Sequence, residues 1–203
     1  MIMKTEKKAS QTKWSIDQAH SEIAFKVKHL MISNVKGLFT VFDASIYTHE
    51  KDFTTAEIDL WIDSASLDTR DTKRDEHLKS ADFLDVAKHK QITFTSSTMG
   101  KPDADGNMEL WGELTMVGIT KNLKLDVRFG GIVKDPWGNE RVGFTVSGKI
   151  NRTDWELTWN TLMEAGGLLV GEEIIISCEV ELINEGKKDL ILELDSTLPE
   201  KSI

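Results

Sequence analysis

The chain has 203 residues, 29% charged and 39% hydrophobic, which suits a soluble domain with one buried core. Its formal net charge of -9 argues against nucleic acid and against an anionic membrane surface, because a polyanion is repelled. The single cysteine, Cys178, excludes an internal disulfide and a cysteine-based zinc site. No segment reaches the length of a membrane-spanning helix. The lysines near the N-terminus are not followed by an apolar run, so the reading is a cytoplasmic protein, secreted or periplasmic only if a signal was trimmed.

In chain order, residues 1–11 are polar and read as a disordered segment. From Trp14 the pattern has a period of two, which places one face of each strand inward. Trp14, Ile16, Ile23, Phe25 and Val27 carry the first two runs, and Asp17 to Ser21 interrupts them as a turn or bulge. Val35, Gly37, Phe39, Val41 and Asp43 begin the next, and Gly37 implies a bend or a close approach. Ala56, Ile58, Leu60 and Ile62 alternate with Glu57, Asp59, Trp61 and Asp63.

Thr69 to Asp85 then breaks the alternation. Arg74, Asp75 and His77 lie within one helical turn, followed by the apolar anchors Leu78 and Phe83. A helical insert among strands must cap or plug something made of strands. Its polar residues read either as an acid/base pair, with Asp75 orienting His77, or as a structural knot, which the lack of a nucleophile favours.

The alternation resumes at Ile92 and Phe94. Turns follow at 102–107, 117–120 and 135–139, and strands run through Leu114, through Leu125 and Val127, and through Phe144 and Val146. Residues 151–170 read as a long apolar loop with Trp155, Trp159, Leu162, Met163 and Leu168, with a short helix ending at Gly166. Ile174, Ile176, Cys178 and Val180 mark the last strand. The barrel domain is 12–184, and 185–203 is a compositionally distinct tail.

The total is about eight strands joined by short turns, which implies an antiparallel sheet closed on itself. The predicted ligand-facing set is Phe25, Val27, Phe39, Val41, Ile58, Leu60, Phe94, Leu114, Leu125, Val127, Phe144, Val146 and Ile176, with the loop residues named above. A barrel of this size is either filled by such residues or keeps room for one apolar guest. The polar candidates for a head group or a structural role are His20, His29, Arg74, Asp75 and His77. None of the five histidines has metal-ligand spacing, so no metal and no cofactor is expected.

Several stretches resemble the YceI-like family. They are Trp14-x-Ile16-Asp17-x-x-His20-Ser21-x-Ile23-x-Phe25, Arg74-Asp75-x-His77-Leu78-Lys79-Ser80-x-Asp82-Phe83, Gly112-x-Leu114-Thr115-Met116 and Ile150-Asn151-Arg152-x-Asp154-Trp155. The resemblance runs from about Trp14 to Glu181. It implies an all-β, extended eight-stranded antiparallel, lipocalin-like barrel with a short helix at one end. It further implies a polyisoprenoid or isoprenoid quinone in the lumen, and a homodimer. The alternatives are an enzyme acting on such an apolar molecule through Asp75 and His77, and a partner-binding protein that uses its tail.

Overall fold

The computed structural model describes residues 11–162 and 168–188. Eleven strands form one sheet: β1 (Gln11–Ile16), β2 (Glu22–His29), β3 (Ser33–Phe39), β4 (Phe42–His49), β5 (Asp52–Asp63), β6 (Leu67–Asp68), β7 (Gln91–Met99), β8 (Asn107–Met116), β9 (Ile119–Lys134), β10 (Glu140–Asn151) and β11 (Val170–Lys188). Every pairing between these strands is antiparallel. The ring β1-β4-β5-β7-β8-β9-β10-β11 closes because β1 pairs with both β4 and β11. Closure leaves each ring strand a partner on both sides, which removes free edges.

Two of the eight staves are broken in the middle. β11 pairs with β2 through Glu179 and with β1 from Leu182 onward, so β1 and β2 are halves of one long strand. The break is made by Asp17, whose Oδ1 accepts from Ala19 N–H at 3.0 Å and whose carbonyl accepts from His20 N–H at 3.2 Å. β3 and β4 are likewise two halves, separated at Thr40 and Val41. β4 stays on β5, whereas β3 diverges and pairs with β6 instead. The wall is therefore parted between β3 and β5, and residues 64–90 occupy that side.

This segment holds the one α-helix among the described residues, α1 (Thr72–Lys79). Asp71 caps it by accepting from Arg74 N–H at 3.0 Å. After Ser80 the chain folds back in tight turns, with Leu84 N–H on Leu78 O at 3.1 Å and Val86 N–H on Lys79 O at 3.1 Å. These turns bury Phe83 and Leu84, which with Leu78 plug this end of the barrel. At the other end, Phe53 stacks between Trp14 and Phe144, with ring centroids 5.0 Å from each.

Both wide hairpins use one device. Asp103 accepts from the N–H of Asp105 and of Asn107, and Asp135 accepts from Trp137 and Asn139 in the same way. The β8–β9 hairpin is tighter than expected, because only Val117 and Gly118 leave the strands, both at positive φ.

One expectation is corrected. Val41 is not inward but 44% exposed. It lies in the β3–β4 break, which shifts the alternation by one residue, so Phe42 takes the inward place. The region after Asn151 opens with a 3-10 turn over Arg152–Trp155, ended by Glu156 in the left-handed conformation, while Gly166 lies outside the described residues. Regular structure begins at Gln11 and β11 runs to Lys188, slightly beyond the limits 12–184; the remainder of both ends is outside the described residues.

Candidate functional site

The two plugged ends enclose a cavity of about 270 Å³. Phe25, Val27, Phe39, Ile58, Leu60, Phe94, Leu114, Leu125, Val127, Phe144, Val146 and Ile176 all line it, as the alternation predicts. Glycines shape the wall in two places. A Cβ on Gly37 would lie 2.4 Å from Phe25 Cζ, and one on Gly112 would lie 2.4 Å from Phe94 Cζ. Only glycine lets these rings lie against the opposite strand. Cys178 also faces the cavity, and burial pushes its thiol up to about 11, so it is an apolar wall residue and not a nucleophile.

The loop residues are distributed differently. Trp155 is buried but stands behind the wall, its indole N–H donating to Leu114 O at 3.2 Å. Trp159 packs outside, edge-on to His77 with centroids 4.5 Å apart. Leu162 is 80% exposed and bridges to half-buried Leu168. Neither Trp155, Trp159, Leu162 nor Leu168 lines the cavity, and Met163 lies outside the described residues. A turn that begins with a 3-10 segment folds back across the barrel end, so these side chains face its outer layer.

The lining contains residues that strand alternation did not single out. Leu78, Phe83 and Leu84 come from the plug. Their signal was the apolar anchors inside a charged helical insert. Among the described residues the only charged one in the lining is Arg152, 3% exposed. Its Nε donates to Gly171 O at 2.9 Å and its Nη1 to Leu157 O. Burial lowers its pKa, opposed by the charge of Glu172. These bonds fasten the start of β11 to the chain leaving the 3-10 turn.

Of the polar candidates, Arg74 and Asp75 meet on Thr69, and the three histidines stand apart from them. Asp75 Oδ1 accepts from Thr69 N–H at 2.9 Å and from Thr69 Oγ1 at 2.5 Å. Arg74 donates to Thr69 Oγ1 and to Thr69 O, each at 2.7 Å. His77 instead pairs with Asp82, Nε2 to Oδ2 at 3.1 Å, and packs on Phe83 and Trp159. Asp75 and His77 are thus separate, and the acid/base pairing is corrected. The reason is positional: two residues apart on a helix, they point to different faces.

His20 and His29 are set apart by the length of β2. His29 ends that strand opposite Val170, and His20 Nδ1 lies 3.0 Å from Asp17 Oδ2. Asp17, His20 and Glu181 bring donor atoms within 4.8 Å of one another. Arg141 already sits among these carboxylates, donating from Nη1 to Asp17 Oδ2 at 2.6 Å and to Glu181 Oε1, and from Nε to Asp135 Oδ2 at 2.8 Å. The guanidinium supplies the positive charge, so the cluster is an ion-pair knot tying the β1–β2 break to the β9–β10 hairpin. It holds Asp135 down at about 2 and also lowers Asp17.

The fold is a closed antiparallel barrel with plugged ends around an apolar lumen. Residues 14–182 match the model of the YceI-like domain, and the chain belongs to that family. A UPF0312 protein of Staphylococcus epidermidis is 36% identical over 171 residues, covering 84% of this chain and 96% of the relative. The crystal structure of a Campylobacter jejuni YceI protein is 33% identical with a TM-score of 0.66, covering 85% of this chain and 96% of that one. The same fold, at 16% identity and a TM-score of 0.59, occurs in a polyisoprenoid binding domain from Saccharophagus degradans, with 84% and 98% of the two chains covered.

Proposed function

We propose that the protein binds a long apolar lipid, a polyisoprenoid or an isoprenoid quinone, within the barrel. The observation that carries this reading is the cavity of about 270 Å³, whose lining among the described residues holds a single charged side chain, itself engaged with backbone carbonyls. Such a site selects hydrocarbon, because each CH₂ group moved out of water contributes about 0.8 kcal/mol. A polar guest would lose its hydration without gaining partners. The name of the Saccharophagus degradans protein, a polyisoprenoid binding domain of the same fold, favours an isoprenoid over a straight chain. The alternative of an enzyme acting through Asp75 and His77 loses its geometry, since each is bound to a different partner.

Native mass spectrometry of the purified protein, followed by organic extraction, tests the reading. The expected result is a retained isoprenoid, or saturable uptake when quinones and prenyl alcohols are titrated into lipid-free protein. A protein that neither retains nor takes up any apolar chain overturns it.

A further inference from the structure

The hairpin joining β2 and β3 is built against two local preferences of its own strands. Its turn is closed by Ile32 N–H on His29 O at 3.2 Å, and its central residues Leu30 and Met31 have φ of 51° and 61°. That geometry favours Asn-Gly, and a bulky apolar residue there is strained. Met31 is 56% exposed and Ile32 82% exposed at the tip. Behind the tip, Lys26 lies directly opposite Lys36, and Lys28 opposite Asn34. All three lysines fall on the face away from Phe25 and Val27, and like charges directly opposed are unfavourable.

No acidic residue occurs between Ala24 and Phe42, in a chain that has 34 acidic residues among 203. Across the sheet, Asp68 on β6 stands opposite Leu38 on the lysine face, while Glu172 and Glu173 stand at the start of β11, with Glu173 paired with Lys149 at 3.2 Å. The net charge of -9 is spread over the whole molecule. At physiological salt an approaching surface senses charges within roughly 8 Å, so the three lysines against Asp68, and not the net charge, decide what the hairpin meets.

We infer that the β2–β3 hairpin is a docking element for an anionic lipid bilayer, with Met31 and Ile32 entering the interface and Lys26, Lys28 and Lys36 facing the head groups. An apolar tip above a basic stem is the combination that peripheral membrane elements use. A bilayer offsets both unfavourable features of the hairpin, because it accepts the apolar tip and separates the lysines with counter-charge. The same strands carry Phe25, Val27 and Phe39 into the cavity wall, so docking brings the cavity wall against the lipid. The inference goes beyond the proposed lipid cargo and does not depend on the cargo's identity.

Flotation with vesicles tests it on the full chain. The wild type is expected to float with phosphatidylcholine vesicles containing phosphatidylglycerol, and to float much less with pure phosphatidylcholine. The Met31→Gly/Ile32→Ser and Lys26→Gln/Lys36→Gln variants are each expected to partition about tenfold more weakly. Neither should melt at a lower temperature, since glycine tolerates left-handed backbone and the second pair removes a repulsion. A wild type that stays unbound to anionic vesicles, that binds both vesicle types equally, or that binds no better than the variants overturns the inference. Uptake of an apolar fluorescent probe, measured on the same proteins, reads the cavity separately. Loss of uptake with flotation intact counts against the proposed cargo alone.

Discussion

The Trp14 indole N–H donates to Thr48 Oγ1 at 2.9 Å, and neither residue has any exposure to solvent. The hydroxyl in turn donates a hydrogen bond to Glu50 O at 2.7 Å, so one threonine satisfies both the indole and the turn after β4. Thr48→Val is expected to destabilise the barrel by about 1–3 kcal/mol, because it strands a buried indole N–H. Trp14→Ala is expected to remove about 3–5 kcal/mol through lost aromatic packing. Combining Thr48→Val with Trp14→Phe should fall short of the sum of the two single changes, since either one ends the shared bond. Urea unfolding of the four proteins measures this.

Arg141 governs the acid limb of stability. Asp135 titrates at about 2 in the folded protein, held down first by Arg141, and Asp17 is lowered by the same guanidinium. An unfolded aspartate titrates near about 3.9. Between those values the unfolded chain binds more protons than the folded one. Stability therefore rises with pH across this window, and the contribution is lost as pH falls through about 2. Replacing Arg141 with glutamine should flatten the dependence of the urea midpoint between about pH 4 and 2. A slope as steep as that of the wild type would show that other carboxylates carry it.

Filling the cavity should separate binding from folding. Ala44 on β4 lines the cavity opposite Leu60 on β5. Ala44→Phe adds a ring to a space without hydrogen-bonding demands. It is expected to weaken uptake of an apolar chain about tenfold or more while changing stability by about 1–3 kcal/mol in either direction. Titration with an apolar fluorophore and thermal melting on the same sample distinguish the two effects.

Asp75 and His77 should behave as independent sites. Asp75→Ala leaves the Thr69 N–H and hydroxyl without their acceptor and is expected to lose about 1–3 kcal/mol. His77→Ala removes an edge-on contact with Trp159 and is expected to lose about 1 kcal/mol. A double-mutant cycle should give a coupling below about 0.5 kcal/mol. Larger coupling, or a reaction on a prenyl substrate abolished by both variants, would restore the acid/base reading.

Strand alternation by itself determined the antiparallel barrel and most of its wall. Apart from Val41, the strand residues read as inward from Phe25 to Ile176 line one cavity, because a period of two admits only two faces and only one can be buried. The segment from Thr69 to Asp85 was likewise legible as a plug, since charge and apolar anchors on a helical period cannot continue a sheet. Tertiary structure alone decided the rest. Nothing local marks the break at Thr40 and Val41, where β3 leaves β5 for β6 and Val41 turns outward, because that break is set by a partner strand distant in sequence. Trp155 and Trp159, read as ligand-facing, stand outside the cavity and Arg152 lines it, because a loop has no period from which to read a face. Spacing on α1 keeps Asp75 and His77 apart, but that their partners are Thr69 and Asp82 depended on how the chain enters and leaves the helix, and that is a property of packing.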